Sequence, residues 1–330
     1  MLPRFTSREE VRLMRARFAA PFFLAAAACS PAGPSAAPAS VHPTEIRLAG
    51  GSLRIVNLYR IQETVLREER GRPANAIVDR LVRDVYVPFP EFWNGYLGDE
   101  SAFREWAPKL LDPAHPIHSR LGPLAAVALD RRFAEGVEWI ARTTGRKPEG
   151  TWYIVFGPGW TDMGGLGGIG MVADFTVLEP DSARIAGLLP HELTHQVHGA
   201  ASATDPDAGT VLHRIVSEGF ASYVAWVYGG GAVSPAGALM YTEAQWNSAR
   251  AREAELIAAV RPILGSRERK DLDLVASRSD HLVPTAPAAA GYYLGFRIIQ
   301  AYVANRGPGS WKEIYNLPAR EVLQRSGWLP

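Results

Sequence analysis

Residues 188–199 read LLPHELTHQVHG and contain an HExxH pattern, in which two histidines enclose a glutamate. Side chains four residues apart lie on the same face of an α-helix. His191 and His195 are therefore placed to bind one Zn²⁺ ion, which takes imidazole nitrogens at about 2.0–2.1 Å. Glu192 is spaced to accept a proton from a water molecule bound to that ion. Because the pattern also occurs by chance, the rest of the chain has to supply a third ligand.

Two known arrangements compete for that third ligand, since a catalytic zinc ion usually has three protein ligands. The metzincin pattern has a glycine three residues after the second histidine and another histidine six residues after it. Those positions hold His198 and Ala201, so this pattern fails. The gluzincin pattern takes a glutamate from a second helix farther along the chain. Residues 211–228, VLHRIVSEGFASYVAWVY, predict such a helix, and Glu218 lies 23 positions after His195.

The two stretches together resemble a known family. HELTHQVHG at 191–199 and SEGFASYVAW at 217–226 are similar to the zinc-ligand helices of gluzincin metallopeptidases, in particular those of the aminopeptidase branch. Residues 150–305 also resemble a family of predicted bacterial zinc-dependent proteases, which are often lipoproteins. The resemblance implies one Zn²⁺ per chain and a four-residue site, made of the ligands His191, His195 and Glu218 and the catalytic carboxylate Glu192.

The chain departs from these relatives at two places. The aminopeptidase signature Gly-x-Met-Glu-Asn is absent, because residues 168–173, GIGMVA, have no glutamate to bind the amino terminus of a substrate. Thermolysin-like relatives place an aspartate four residues after the glutamate ligand to orient a histidine, and Ser222 stands at that position here. Endopeptidase and exopeptidase activity therefore both stay open.

A later motif, GYYLGFR at 291–297, supplies a candidate for the oxyanion. Tyr292 and Gly295 match the Tyr-x-x-Gly of the aminopeptidase branch, in which the tyrosine donates a hydrogen bond to the tetrahedral oxyanion, as acyl-transfer chemistry requires. The alternative is that Tyr292 and its neighbour pack the start of a helix. Weaker candidates for a supporting role are Tyr293, His198, Ser222, His281 and Arg297.

Residues 1–28 have the pattern of an export signal. Arg15 and Arg17 precede an apolar run at 18–28 that ends in small residues, as secretory signals do. This run is shorter than the ~20 residues of a permanent membrane span. Cys29, the only cysteine, follows directly and resembles the lipidated cysteine of bacterial lipoproteins. The alternative is a plain signal peptide with an incidental cysteine.

Three further segments are predicted. Residues 29–44 are rich in Pro, Ala and Ser and predict a flexible tether, so we expect an exported protein that is anchored to a membrane through lipid on its cysteine. Residues 45–150 predict a helical N-terminal region, in which Ile55 and Leu58 start a run with helical spacing. Residues 151–330 are expected to form the catalytic region.

The strand and loop pattern of that region predicts an α+β fold, zincin-like and mostly helical, with a small mixed sheet over the HExxH helix. Residues 151–157, TWYIVFG, predict a strand. A second strand is predicted at 169–178, after a glycine-rich loop. By resemblance to other zinc peptidases, residues 170–175 are expected to form the edge strand that pairs with an extended substrate.

The helix that carries HExxH is predicted to begin near Ser182. Proline removes a helical hydrogen bond and clashes with the preceding turn, so we expect a kink or a restart at Pro190. Gly199 is expected to end the helix as its C-cap. Two other helices are predicted, over residues 123–142 and 240–264.

The charge distribution excludes a nucleic-acid partner. The 330-residue chain has a formal net charge of +1. Because residues 1–28 hold five Arg and two Glu, the remaining chain has 30 basic and 32 acidic residues. A nucleic-acid-binding protein needs a basic patch or stripe, and this balance provides no excess of positive charge.

These observations predict zinc-dependent hydrolysis of peptide bonds in a peptide or protein substrate, with Glu192 as the proton acceptor. Two alternatives remain at this stage. The first is a lipid-anchored binding protein that uses a zincin scaffold without turnover. The second is a zinc amidase that cuts a non-peptide amide, a reaction for which the same site chemistry suffices.

Overall fold

A computed structural model describes residues 45–328 of the chain. The predicted signal peptide at 1–28, the predicted lipidation site Cys29 and the predicted tether at 29–44 lie outside the described residues. Across the described range, the helices are all too short or too polar to serve as membrane spans.

Five strands of the described chain form one mixed sheet. They are β1 (Glu45–Leu48), β2 (Leu53–Asn57), β3 (Gly150–Val155), β4 (Met163–Gly165) and β5 (Met171–Asp174). The order across the sheet is β1-β2-β3-β5-β4, with the three central strands parallel and the two outer strands antiparallel to their neighbours. The predicted α+β class with a small mixed sheet is therefore confirmed.

Helices account for most of the remaining described chain. In chain order the α-helices are α1 (Leu58–Glu68), α2 (Ala74–Leu81), α3 (Pro90–Tyr96), α4 (Glu100–Trp106), α5 (Ile117–Ala126), α6 (Leu129–Thr144), α7 (Ser182–Ala203), α8 (Val211–Tyr228), α9 (Pro235–Ala238), α10 (Glu243–Ala251), α11 (Glu253–Val260), α12 (Arg269–Ala276), α13 (Ala290–Arg306) and α14 (Ala319–Ser326). The 3₁₀ and π-helical segments between them are short.

The predicted start of the first helix, at Ile55, is wrong. Ile55 lies in β2, where it pairs with Trp152 of β3, and the helix begins at Leu58. The spacing of these apolar residues fits a helix as well as a buried strand. The choice between them depends on pairing with a strand about a hundred positions away in the sequence, because tertiary context overrides local preference.

The predicted edge strand is also wrong. β5 is an inner strand, since β3 pairs with one side of it and β4 with the other. The edge strand on this side of the sheet is β4, whose residues Met163–Gly165 come from the glycine-rich loop. Glycine is depleted in strands, so the sequence pattern did not indicate a strand there.

Three predicted helix boundaries differ from the structure. α7 continues through Pro190 without a restart and ends at Ala203 rather than at Gly199. The helix predicted over 240–264 consists of α10 and α11, which are separated at Arg252. The helix predicted over 123–142 is likewise two helices, α5 and α6, because Ala128 between them has a left-handed φ of 53°.

Contacts with the sheet and with α6 fix the position of α7. The indole Nε1 of Trp152 in β3 donates a hydrogen bond of 2.9 Å to Oε1 of Gln196. α6 also approaches α7 closely, because a Cβ added at Gly136 would lie 3.0 Å from Leu193. The sheet and α6 therefore both contact the HExxH helix.

Two glycines let α8 and α13 touch along their backbones. A Cβ added at Gly219 would lie 2.0 Å from the carbonyl carbon of Gly295, and a Cβ at Gly295 would lie 1.9 Å from the carbonyl oxygen of Ile215. Real Cβ atoms do not approach backbone atoms this closely. This contact brings Tyr292, about one turn before Gly295 on α13, to the helix that carries Glu218.

A buried aspartate holds the loop that leads to the edge strand. The carboxylate of Asp174, at the end of β5, accepts hydrogen bonds of 2.8 Å from the backbone N–H groups of Gly157 and Gly159. It also accepts one of 2.9 Å from the N–H of Thr176 and one of 2.7 Å from the hydroxyl of Tyr96. These four donors satisfy a carboxylate that is fully buried, and they fix the path of the chain into β4.

Candidate metal centre

The side chains of His191, His195 and Glu218 meet at one point between α7 and α8. Nε2 of His191 lies 3.1 Å from Nε2 of His195. Oε2 of Glu218 lies 3.2 Å from the first of these nitrogens and 3.3 Å from the second. The helical spacing of the histidines places both on one face of α7, and α8 brings the carboxylate to that face.

This triangle fits a zinc ion. Ligand atoms at three corners of a tetrahedron, bound at about 2.0–2.1 Å, lie about 3.3–3.4 Å from one another. The three measured separations, 3.1, 3.2 and 3.3 Å, approach that value. Two imidazoles and one carboxylate are also a donor set of known catalytic zinc sites.

Burial and mutual contacts shift the pKa of all three residues. Burial lowers the pKa of His191, which favours the neutral imidazole that a metal requires. Burial is also the largest single effect on His195, but the charge and hydrogen bond of Glu218 and the charge of Glu192 together outweigh it and raise the pKa of His195. Burial alone raises the pKa of Glu218, but the two histidines outweigh burial and hold that pKa well below its usual value. Glu218 is therefore ionised at neutral pH.

Three side chains of α8 contact the outer atoms of the cluster. The Ser217 hydroxyl lies 3.3 Å from Nδ1 of His195, and the Ser222 hydroxyl lies 3.4 Å from Nδ1 of His191. A guanidinium N–H of Arg214 donates a hydrogen bond of 2.9 Å to Oε1 of Glu218. Such contacts orient metal ligands. Sequence reasoning missed Ser217 and Arg214, although the position of Arg214 one turn before Glu218 was a usable signal.

Two clefts meet at the cluster. The first cleft, of 860 Å³, is lined by His195, Glu218 and the glycine-rich residues 164–165 and 167–171. The second cleft, of 730 Å³, is lined by His191 and by residues of the loops that flank α9. Glu192 lines both clefts. Burial raises the pKa of its carboxyl group to about 8, an effect that His195 opposes and Glu218 reinforces.

Tyr292 also lines both clefts. Its ring is stacked on the imidazole of His191, with ring centroids 6.0 Å apart. Within the part of the chain that the structure describes, its hydroxyl makes no hydrogen bond, so it is free to bind a substrate. Burial raises its pKa well above the ordinary value, and the group stays a protonated donor.

Tyr293 lies elsewhere. Its hydroxyl donates to the carboxylate of Glu253, which also accepts a 2.9 Å hydrogen bond from Arg297. The ring of Tyr293 packs edge-on against Trp246, on the other side of α13. The structure therefore places Tyr292 at the clefts and leaves Tyr293 and Arg297 in a separate polar cluster.

The remaining candidates do not reach the cluster either. His198 is buried between Phe220 and Tyr315, with ring centroids 5.5 and 5.8 Å away. Burial lowers its pKa to about 4, so this imidazole is neutral and packs in the core. Nδ1 of His281 lies 2.7 Å from the carbonyl oxygen of Ala286. This contact is within the loop that carries His281.

Comparison with known proteins gives one match. A family model described as "Predicted Zn-dependent protease (DUF2268)" matches residues 160–324, half of the 330-residue chain. This range includes both helices of the cluster and Tyr292. No curated protein and no solved structure matches the chain.

Proposed function

The chain belongs to the DUF2268 family of predicted zinc-dependent proteases, and from this membership and the geometry of its cluster we propose that it is a gluzincin-type zinc metallopeptidase. His191, His195 and Glu218 hold one Zn²⁺. The observation that carries the proposal is the triangle of three ligand atoms, which lie 3.1–3.3 Å from one another. Glu192 lies beside this triangle and lines both clefts.

Each residue around the cluster has a separate role in the proposed hydrolysis. When bound, Zn²⁺ polarises the scissile carbonyl and lowers the pKa of water. Without metal the pKa of Glu192 is about 8, and the positive charge of a bound Zn²⁺ would favour its ionised form. In that form Glu192 accepts a proton from the attacking water and returns it to the leaving nitrogen. Tyr292 donates a hydrogen bond from its phenol to the oxyanion that forms at the carbonyl. Ser217 and Ser222 keep the histidine rings in the orientation that holds the metal.

The edge strand favours a peptide over other amides. In an antiparallel pair, alternate residues direct their peptide groups away from the partner strand. Asp162 and Leu166 bond to the β5 side, so the peptide group of Gly165 faces away from the sheet, where it borders the first cleft. An extended substrate can add to such an edge through its main chain.

The cellular location is also part of the proposal. The export signal at 1–28 and the cysteine that follows it support a lipoprotein that is anchored through Cys29. Labelling with a radioactive or alkyne-bearing fatty acid tests this directly. We expect label on the wild-type protein and none on Cys29→Ser, while label on both would contradict the lipid anchor.

Metal removal tests the function. Purified protein is expected to contain about one zinc per chain, to cleave members of a peptide library, and to lose cleavage with a strong chelator and regain it with Zn²⁺. A ligand present at 100 times its Kd stabilises the folded state by about 2.7 kcal/mol, so chelation is also expected to lower Tm. Zinc-dependent stability without cleavage would instead favour the non-catalytic binding protein, and cleavage restricted to non-peptide amides would favour the amidase.

Replacing Tyr292 by Phe tests the oxyanion donor. Loss of one such donor costs about 10²–10³-fold in kcat, so we expect a fall of that size with zinc content and KM nearly unchanged. Tyr293→Phe is the matched control, because that hydroxyl bonds to Glu253. If the Tyr293 variant lost as much kcat as the Tyr292 variant, the assignment would be wrong.

A further inference from the structure

Arg278 is a charged residue on the wall of the second cleft to which the mechanism gives no task. Its guanidinium carbon lies 4.6 Å from the centre of the Tyr292 ring, a cation–π distance. One of its N–H groups donates a hydrogen bond of 3.1 Å to the carbonyl oxygen of Leu239. The ring and the carbonyl hold the guanidinium in place, and neither neutralises its charge.

The other arginines of the two clefts differ in this respect. Arg184 lines the same cleft, but it forms an ion pair of 3.0 Å with Asp162. Arg214 lines the first cleft and pairs with Glu218 at 2.9 Å. Arg278 has no carboxylate partner among residues 45–328. The second cleft therefore offers a fixed guanidinium with free N–H donors, which suit a carboxylate because their planar fork matches its two oxygens.

The distance to the cluster limits where on a substrate that carboxylate lies. The guanidinium carbon of Arg278 lies 4.6 Å from the centre of the Tyr292 ring. The centre of that ring lies 6.0 Å from the centre of the His191 imidazole. An extended peptide spans about 3.3–3.6 Å per residue. A carboxylate that reaches Arg278 therefore belongs to one of the first three or so residues from the scissile bond.

We propose that Arg278 selects substrates that carry a carboxylate close to the scissile bond, on the side of the second cleft. The inference rests on the proposed peptidase function and specifies its substrate class. The carboxylate is either the C-terminus of a short peptide or an acidic side chain. Both sources offer the same planar anion to the guanidinium.

The experiment begins with a peptide that the wild-type protein cleaves. Three versions are made: one with a free C-terminal carboxylate, one with a C-terminal amide, and amides in which one Gln near the cleaved bond is replaced by Glu. Their Kd values are measured by calorimetry on zinc-loaded Glu192→Gln protein, so that binding is read without turnover. The same series is measured with Arg278→Gln added, and with Arg184→Gln added as the matched control.

We expect one carboxylate version to bind about 10- to 100-fold more tightly than the neutral amide, as hydrogen bonds to charged groups do. Arg278→Gln should remove that preference, and Arg184→Gln should keep it. The version that shows the preference identifies the source of the carboxylate. Equal binding of all versions by the protein with Arg278 intact would overturn the inference while leaving the peptidase function in place, and this comparison needs no Arg278 variant to fold. If no peptide were cleaved or bound, the proposed function would fail first, and the inference with it.

Discussion

Replacing Glu192 by Gln is expected to abolish peptide hydrolysis and to leave zinc content unchanged. Glutamine has nearly the same shape as glutamate, but its amide cannot accept and return a proton. General acid–base catalysis contributes about 10²–10⁴-fold, so kcat should fall by at least that range. The proposed ligand atoms belong to His191, His195 and Glu218, so metal analysis should still find the wild-type amount of zinc.

The matched control is Glu138→Gln, the same chemical change at an exposed position of α6 outside both clefts. We expect this variant to keep wild-type kcat. Retained hydrolysis in Glu192→Gln would exclude Glu192 as the proton acceptor. Loss of zinc in that variant would instead show that the residue supports the metal.

Replacing Gly295 by Ala is expected to destabilise the whole protein. The new methyl group would lie 1.9 Å from the carbonyl oxygen of Ile215, and backbone atoms cannot move aside as a flexible side chain does. α13 has to shift away from α8, at a cost of about 3 kcal/mol or more. That corresponds to a fall in Tm of about 10 °C, measurable by thermal unfolding. The zinc affinity should fall as well, because α8 carries Glu218.

Gly187→Ala is the matched control for this change. Gly187 lies inside α7, is not followed by proline, and has nothing within 4 Å of an added Cβ. Alanine favours a helix by about 1 kcal/mol over glycine, so this variant should keep or slightly raise Tm. An unchanged Tm in Gly295→Ala would mean that the two helices do not pack backbone to backbone at this point.

The same contact connects two short motifs that lie far apart in the sequence, Glu218-Gly219 and the Tyr-x-x-Gly of residues 292–295. Gly219 directly follows Glu218, and Gly295 follows Tyr292 by three residues. In the sequence they are separate glycines beside candidate site residues. In the fold they are the contact surfaces of the two helices, so the distance between Tyr292 and the cluster depends on both having no side chain.

Local sequence was sufficient for the cluster itself. His191 and His195 are one helical turn apart, and a helix with a glutamate on its buried face follows soon after. The first relation is a geometric property of an α-helix, and the second comes from the gluzincin pattern; together they predicted which side chains meet. The sequence could not decide between Tyr292 and Tyr293 as the oxyanion donor. Adjacent helical residues point in different directions, and only packing shows which one faces a cleft.

The residues that line the clefts, by contrast, could be identified only from the tertiary structure. Their walls come from segments with no regular period: the glycine-rich loop that supplies β4, the loops beside α9, and Arg278. β4 is a strand because it pairs with β5 and because the N–H of Asp174 bonds to the carbonyl oxygen of Asp162 just before it, although its glycines predict none. By itself the sequence predicted which side chains meet at the cluster, since one helical turn separates His191 from His195 and the gluzincin pattern pointed to Glu218. Only the fold decided what approaches them, because the walls of a cleft are set by contacts between residues far apart in the chain.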